Sequence, residues 1–338
     1  MIKACVIGAG SWGVALSTVL SDNGHEVTVW SALEDEIKML SEKREHISKL
    51  PGVKLSEATE FTTDLAAAVG DKDLIIMAVP SPFVRSTARQ MKPLVPQGQL
   101  IVDVAKGIEE SSLLPMTEVI KEEIPQAEAA ILSGPSHAEE VGRRLPTTIV
   151  VGSHSRAAAE FIQDTFMNPN FRVYTSPDVL GIGLGGSLKN VIALAAGMAD
   201  GLGCGDNTKA ALITRGIREL AAIGKAAGAA SETLLGLSGL GDLIVTCASV
   251  HSRNRKAGQL MGQGYTMEQA MEEVQMIVEG VYSAKAGLQL GEKYGLSLPI
   301  IEAVNHILFE GMTVRDGVMG LMQRERKSEE TSLSWESR

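Results

Sequence analysis

The chain has 338 residues, which is more than one hydrophobic core usually holds, so its length predicts two domains. Apolar residues make up 44% of it, and the formal charge of -10 argues against general binding to nucleic acid or to an anionic membrane. An anionic ligand must therefore be held by a local cluster of cations.

The first half predicts a Rossmann-like, doubly wound α/β domain, because short apolar runs alternate there with longer amphipathic stretches. This is the pattern of βαβ units that build a parallel sheet. The predicted strands cover residues 2–7, 26–30, 74–79, 100–104, 129–132 and 148–151. The predicted helices cover residues 12–22, 82–91, 113–123 and 156–166.

After residue 177 the composition shifts to Ala, Gly, Leu, Met and Glu at helical spacing, which predicts a mostly α-helical second domain. Its predicted helices cover residues 187–199, 209–227, 266–273, 281–294, 299–309 and 314–322. We expect a dinucleotide-binding domain over residues 1–178, a substrate-binding domain over 179–325, and a disordered polar tail over 326–338.

The glycine loop at residues 8–13 follows the first predicted strand and opens the first helix, the context that a GxGxxG match requires. Gly8 permits the tight turn, Gly10 lets the backbone approach a pyrophosphate, and Gly13 allows close helix packing. Free N–H groups at the helix start then face the phosphates. The loop predicts dinucleotide binding, with a plain tight turn as the alternative.

The choice between NAD and NADP depends on the end of the second strand, where NAD-selective folds usually place an acid. Here Trp30 is followed by Ser31, which can hydrogen-bond either form of the ribose, and Glu34 comes three residues late. Neither an acid nor an Arg occupies the strand end. The choice stays open, with a lean to NADP.

Two polar segments follow predicted strands at the edge where doubly wound folds bind ligands. One segment contains Lys106, for which the alternative is an ordinary solvated loop lysine. The other is a tight turn that contains Gly134 and Ser136, whose N–H groups could face a cofactor or substrate. By itself this segment is only a turn.

Lys189 is the best candidate for proton transfer, because the six histidines are scattered. It lies in a Gly- and Ala-rich helix start, where dehydration would lower its pKa toward that of a useful base. Snorkelling of the side chain to solvent is the alternative. Asp242 lies between apolar residues and needs a partner such as Lys189, or else it caps the next helix.

The segment 251–256 concentrates positive charge and polar donors in an acidic protein. Ser252, Arg253 and Asn254 in it suit a phosphate, since Arg forms bidentate bonds to phosphate oxygens. A solvated helix face is the commoner origin of such a run. The absence of HExxH, GxSxG and Walker motifs removes the usual support for hydrolase or phosphoryl-transfer chemistry.

Taken together, these segments resemble the bacterial-type NAD(P)-dependent glycerol-3-phosphate dehydrogenases, from about residue 1 to residue 328. The most specific pieces are residues 189–193, leading to Gly201 and Asn207, and residues 237–243. The resemblance implies interconversion of sn-glycerol 3-phosphate and dihydroxyacetone phosphate, with supply of glycerol 3-phosphate to phospholipid synthesis.

The resemblance also implies roles for individual residues. Lys189 would accept the proton, with Lys106 and Asp242 orienting the reacting end. The substrate would contact Lys106, Gly134, Ser136, Lys189, Asp242, Ser252, Arg253 and Asn254. The cofactor would contact Gly8, Gly10, Ser11, Trp12, Gly13, Ser31, Lys106, Ala138, Arg253, Ile277 and Glu279.

The chain departs from the family at two positions near the cofactor. The family often carries Arg or His just after the second strand, where this chain has Ser31, Ala32 and Leu33, and it carries Tyr where this chain has Lys49. One hypothesis is that Lys49 contacts the cofactor phosphate. The rival functions are a dehydrogenase of another hydroxy acid or polyol phosphate, and a non-catalytic nucleotide sensor.

The remaining expectations concern location and partners. Cys5, Cys204 and Cys247 are odd in number and lack metal-type spacing, which predicts a reduced, cytoplasmic protein without disulfides or a metal site. A glycine loop follows the amino terminus before any signal-type core, and no segment reaches about 18 uninterrupted apolar residues. We expect a small phosphorylated substrate, no nucleic acid, no membrane insertion, and an oligomeric state compatible with a homodimer.

Overall fold

The computed structural model describes residues 1–326, 328 and 329. Most of the predicted polar tail, residues 326–338, therefore lies outside the described residues. Within that stretch, the carboxylate of Glu329 pairs with Arg215 and Arg218 of the helical half.

An eight-stranded sheet organises the first half of the chain, in the order β3-β2-β1-β4-β5-β6-β7-β8. The strands are β1 Lys3–Ile7, β2 Glu26–Trp30, β3 Glu60–Thr62, β4 Leu74–Met77, β5 Leu100–Asp103, β6 Glu128–Ser133, β7 Thr147–Gly152 and β8 Phe171–Ser176. The six predicted strands are confirmed, and the edge strands β3 and β8 are additional. The doubly wound fold class is therefore confirmed.

One pairing departs from the expected parallel sheet, because β6 and β7 run antiparallel. The connection between them carries only the five-residue helix α6, Ala138–Gly142. Such a helix extends about 7.5 Å, whereas a six-residue strand extends about 20 Å. The connection is too short to recross the sheet, so the chain returns antiparallel.

Helices cover both faces of the sheet, so its central strands are buried on both sides. On β1, Val6 packs toward one face and Ile7 toward the other. The continuous apolar runs that predicted these strands are the consequence. The other helices here are α1 Ser11–Asp22, α2 Glu34–Lys43, α3 Leu65–Val69, α4 Ser81–Met91, α5 Met116–Glu123 and α7 Arg156–Phe166.

The second half is helical, as predicted. Its helices are α8 Val179–Gly201, α9 Asp206–Ala227, α10 Ser231–Leu234, α11 Asp242–Ala248, α12 Arg253–Gly262, α13 Met267–Val274, α14 Glu279–Tyr294, α15 Pro299–Phe309 and α16 Val314–Met322. A π-helical turn, Leu237–Gly241, precedes α11.

Helix α8 is the core of this half, and α9, α11, α12 and α14 pack around it. It starts eight residues before its predicted start at 187, at Val179, where Asp178 caps the helix by accepting from the Gly181 N–H at 2.9 Å. The early turns are rich in glycine, which disfavours helix in isolation. Close packing overrides this, since a Cβ on Gly185 would lie 3.0 Å from the Ser238 carbonyl oxygen.

Two segments have the length and composition of a membrane span among the described residues: α8, and the bent pair Ser231–Ala248 with Arg253–Gly262. The apolar window of α8 is 94% buried inside the protein. Its apolar character is that of a core helix.

Candidate active site

A charged cluster forms where the carboxyl ends of β5 and β6 face α8 and α11. Lys106 follows β5, Lys189 lies in the middle of α8, and Asp242 is the first residue of α11. The Asp242 carboxylate accepts from Lys189 Nζ at 2.5 Å on Oδ1 and from Lys106 Nζ at 2.7 Å on Oδ2. One buried acid thus joins the two halves of the molecule.

The cluster is shielded from water, which sets its protonation. Burial lowers the pKa of Lys189 to about 7, the positive charge of Lys106 adds to this effect, and Asp242 opposes it. Burial alone would raise the pKa of Asp242, but the two lysines outweigh it and hold that pKa below its usual value. Lys189 is therefore balanced between its acid and base forms near neutral pH, as a proton-transfer group requires.

Two residues that the sequence did not single out position this cluster. Thr246 Oγ1 accepts from Lys189 Nζ at 2.6 Å and donates to the Asp242 carbonyl at 2.6 Å, one turn back along α11. Asn190 Nδ2 donates to the Lys106 carbonyl at 3.4 Å. The signal for Thr246 is its spacing, since i and i+4 share a helix face.

The turn after β6 contributes backbone oxygen to the same place. Lys106 Nζ donates to the Gly134 carbonyl at 3.1 Å, and Ser136 Oγ donates to that carbonyl at 2.8 Å. Gly134 has φ +145°, a conformation that L side chains rarely adopt. Nearby, burial and the charge of Lys189 lower the pKa of His137 to about 4, so its imidazole is neutral at pH 7.

The start of α12 brings the predicted phosphate residues toward this cluster. Ser252 caps the helix by accepting from the Arg255 N–H, and Arg255 itself is paired with Asp200 at 2.7 Å. Asn254 is buried and fixed, with Nδ2 donating to Asn190 Oδ1 at 2.9 Å. Arg253 donates no hydrogen bond to any residue in the described part of the chain, and burial lowers its pKa. Of the two arginines, Arg253 is the one left for a ligand.

The glycine loop has the shape that a dinucleotide requires. A Cβ on Gly8 would lie 2.7 Å from Ala78 backbone, and one on Gly13 would lie 2.0 Å from the Gly8 carbonyl oxygen, whereas one on Gly10 would meet nothing within 4 Å. Gly10 is also the N-cap residue of α1, so the start of that helix has no side-chain cap. Trp12 Nε1 is buried and has no hydrogen-bond partner among the described residues. These features fit a bound dinucleotide.

Glu279 links the helical half to the sheet half. Its carboxylate accepts from the Ser81 N–H at 3.1 Å and from Ser81 Oγ at 2.5 Å, at the start of α4. Burial raises the pKa of Glu279, while Ser81 and Arg253 oppose the rise. Ile277 is half-buried just before α14, and Ala138 is the buried first residue of α6. The predicted cofactor contacts thus come from both halves.

Ser31, which directly follows β2, has its hydroxyl engaged within the protein. Its hydroxyl donates to Glu36 Oε2 at 2.5 Å, and Glu36 Oε1 accepts from Lys49 Nζ at 2.5 Å and from His46 Nε2 at 2.9 Å. Sequence reasoning missed Glu36, although an acid in the first turn of a helix can reach the residues before it.

Comparisons with known proteins place this architecture in a family. Residues 3–159 match the model for the N-terminus of NAD-dependent glycerol-3-phosphate dehydrogenase, and residues 178–319 match the model for its C-terminus. The chain is 62% identical to glycerol-3-phosphate dehydrogenase, NAD(P)+, of Agathobacter rectalis, over 99% of this chain and 100% of that one. It is 51% identical to the Bacillus subtilis protein of that name, over 98% and 97% of the two chains.

A solved structure agrees with the sequence comparisons. The glycerol-3-phosphate dehydrogenase of Coxiella burnetii matches with a TM-score of 0.93 at 34% identity, covering 96% of this chain and 99% of that one. The fold and these similarities agree, and the chain belongs to the NAD-dependent glycerol-3-phosphate dehydrogenase family.

Proposed function

We propose that this protein interconverts sn-glycerol 3-phosphate and dihydroxyacetone phosphate, with NAD(P) as the hydride carrier. The observation that carries the proposal is the buried cluster of Lys189, Asp242 and Lys106, in a chain that also has the glycine loop and the unpaired guanidinium of Arg253. A hydride carrier, a proton acceptor and a phosphate ligand are the three things this reaction needs.

The proton chemistry belongs to Lys189. In the oxidative direction its neutral amine takes the proton of the C2 hydroxyl, and in the reductive direction its ammonium returns it. A pKa of about 7 makes both forms available. The dinucleotide, when bound, supplies or accepts the hydride at C2. General acid–base catalysis of this kind contributes about 100-fold to 10,000-fold.

Lys106 and Asp242 act on the same reacting end. Asp242 holds both ammonium groups within 2.7 Å of its oxygens, so the positions of the two lysines are fixed relative to each other. The charge of Lys106 stabilises negative charge that develops on the substrate oxygen. It also disfavours a second cation at Lys189, which keeps that amine able to accept a proton.

Substrate and cofactor contacts follow the same geometry. The substrate phosphate lies against Arg253, Ser252 and Asn254, and the turn of Gly134 and Ser136 borders its reacting end. The loop of residues 8–13 and Ser31 would hold one part of the dinucleotide. Its other end would be held by Lys106, Ala138, Arg253, Ile277 and Glu279. Arg253 serves both ligands, which couples their binding.

Four further assignments complete the proposal. The dinucleotide domain is residues 1–178 and the substrate domain is 179–325, supported by the start of α8 at Val179. The location is the cytoplasm, supported by three free cysteines, and the product feeds phospholipid synthesis. The protein is a homodimer, supported by the exposed apolar side chains of Phe309, Met319 and Met322, and light scattering in solution measures this.

The direct test follows absorbance at the reduced-nicotinamide band with dihydroxyacetone phosphate, using NADH and NADPH separately. We expect oxidation of the cofactor with dihydroxyacetone phosphate and far slower oxidation with unphosphorylated dihydroxyacetone, since Arg253 would lack its ligand. If neither NADH nor NADPH is oxidised, the result would favour the rival function of a non-catalytic nucleotide sensor. Faster turnover of a 2-keto acid would favour the rival dehydrogenase.

A further inference from the structure

The residue that follows β2 lies where the adenosine ribose is read in Rossmann-like folds. The Gly8 N–H donates to the Trp30 carbonyl at 2.9 Å, so Ser31 comes directly after a residue that is tied to the glycine loop. NAD-selective folds usually place a carboxylate at this strand end, and it accepts the hydrogen bond of the 2'-hydroxyl. Here the strand end presents a hydroxyl instead.

The single proton of the Ser31 hydroxyl is already used. Ser31 Oγ donates to Glu36 Oε2 at 2.5 Å, and it accepts from the Leu33 N–H at 3.2 Å. A serine hydroxyl has one proton and two lone pairs. One lone pair therefore remains, and toward a ribose Ser31 acts only as an acceptor.

Glu36 is held in its charged form, so this orientation is permanent near neutral pH. Its side chain is only 7% exposed and burial alone would raise its pKa, but hydrogen bonds from His46, Lys49 and Ser31 lower that pKa to about 2. His46 Nδ1 accepts from the Lys49 N–H at 3.2 Å, which leaves its Nε2 as the donor to Glu36. The ammonium of Lys49 is thus paired with Glu36, and that carboxylate neutralises part of its charge.

The first turn of α2 carries charge of the same sign as a phosphate. Glu34 and Asp35 are exposed in the first turn of α2 beside Glu36, and the first cation in that helix is Lys38. A 2'-phosphate carries negative charge at neutral pH and has little proton to donate. It would meet an acceptor-only hydroxyl and a turn with three acidic residues. A 2'-hydroxyl, in contrast, has the proton that Ser31 lacks.

We propose that Ser31, with its proton held by Glu36, takes the place of the strand-end carboxylate and selects NAD over NADP. The inference rests on the proposed dehydrogenase function. From the sequence, Ser31 could bond either form of the ribose, and the lean to NADP followed from the missing acid at the strand end. The commitment of its proton to Glu36 removes that symmetry.

The experiment titrates the whole protein with NADH and with NADPH, without substrate, and follows nucleotide fluorescence. Wild type is expected to bind NADH about 10-fold more tightly than NADPH, the scale of one hydrogen bond between neutral groups. Ser31→Ala removes the acceptor. This variant is expected to bind NADH about 10-fold more weakly than wild type, while its affinity for NADPH changes little. Glu36→Gln is expected to reduce the preference as well.

Matched controls lie on the exposed side of α2. Ser41→Ala and Glu42→Gln make the same chemical changes at exposed positions away from Ser31, and both should retain the wild-type preference. Thermal melting by circular dichroism checks that each variant is folded. If Glu36→Gln fails to fold, Ser31→Ala still decides, because it leaves Glu36 with Lys49 and His46.

The outcomes separate this inference from the proposed function. Equal or tighter binding of NADPH by wild type overturns the inference, and so does an unchanged preference in Ser31→Ala. Dihydroxyacetone phosphate reduction at equal efficiency with both cofactors overturns the inference and leaves the function standing. Preferred NADH binding without any turnover supports the inference and removes the function. Binding of neither nucleotide overturns both.

Discussion

Two buried carboxylates, Glu36 and Asp242, have similar hydrogen-bond partners but different roles. Each accepts hydrogen bonds from two basic side chains, Glu36 from His46 and Lys49, and Asp242 from Lys106 and Lys189. The partners of Glu36 lie within 13 residues of it in sequence, whereas those of Asp242 are 136 and 53 residues away.

The difference lies in how much of the basic partner remains in water. The Lys49 side chain is 33% exposed, whereas that of Lys189 is 5% exposed. Full burial makes the charge of Lys189 costly and brings its pKa to about 7. A partly solvated lysine such as Lys49 therefore fixes geometry, whereas a fully buried one such as Lys189 can exchange protons near neutral pH.

Replacing Lys189 is expected to have the largest effect. Lys189→Ala should lower kcat by about 100-fold to 10,000-fold, because the proton then has no acceptor. Affinity for NADH should stay nearly unchanged, since Lys189 contacts the reacting end only. Steady-state kinetics and a fluorescence titration measure both, with Lys225→Ala on the exposed end of α9 as control. Turnover like wild type would end the assignment.

Glu36→Gln tests the other carboxylate through stability. Because the pKa of Glu36 is lowered to about 2, its stabilisation is complete above its unfolded pKa, near 4, and is lost as the pH falls toward 2. At pH 7 the variant should lose about 1–3 kcal/mol of unfolding free energy, and the deficit should shrink between pH 4 and 2. Urea melts at several pH values measure it, with Glu42→Gln as reference. A constant deficit down to pH 2 would contradict this.

Arg253→Ala removes the arginine that is left for a ligand, whereas its neighbour Arg255 is already paired with Asp200. Loss of a charge-assisted bond to phosphate should raise KM for dihydroxyacetone phosphate about 10-fold to 100-fold. KM for unphosphorylated dihydroxyacetone should not rise in parallel. Lys256→Ala, on the same helix but exposed, should change neither value. Parallel rises for both substrates in Arg253→Ala would mean that Arg253 does not read the phosphate.

Asp103 is a third buried carboxyl. Unlike Glu36 and Asp242, it accepts no hydrogen bond from a cationic side chain among the described residues. Its Oδ1 accepts from the Ala105 N–H at 3.0 Å, and its Oδ2 has no partner among the described residues. Burial raises the pKa of Asp103 to about 8, so the folded state holds a proton that the unfolded state releases above about pH 4. Its contribution to stability is therefore present at low pH and is lost as the pH rises toward 8.

Asp103→Asn should flatten this pH dependence. The difference in unfolding free energy between variant and wild type should move in favour of the variant by at most about 1.4 kcal/mol per pH unit between pH 5 and 7. Chemical denaturation at each pH measures the two curves. Parallel curves would mean that Asp103 is ionised in the folded protein.

The sequence predicted the parts of the fold that burial dictates. The central strands are buried on both faces and read as continuous apolar runs, whereas β3 has only three residues, none of them fully buried, and β8 alternates buried with exposed residues at the sheet edge. The antiparallel return of β7 followed from connection length, which the strand pattern does not encode.

The residues of the candidate active site also fall into those that the sequence predicted and those that depend on the fold. That Asp242 needs a cation follows from an acid among apolar residues, and Lys189 was its named candidate. The second cation, Lys106, and the anchor Thr246 depend on packing between distant segments. Glu36 depends on where α2 begins. If the helix began later, its acid would not reach Ser31.

The most direct measurement is the pH dependence of kcat/KM for glycerol 3-phosphate oxidation in wild type, Asp242→Asn and Lys106→Met. Wild type should lose activity below an apparent pKa near 7, as Lys189 becomes protonated. Asp242 raises the pKa of Lys189 and Lys106 lowers it, so this limb should move to lower pH in Asp242→Asn and to higher pH in Lys106→Met. A limb that stays at the same pH in both variants would contradict the assignment of Lys189 as the base.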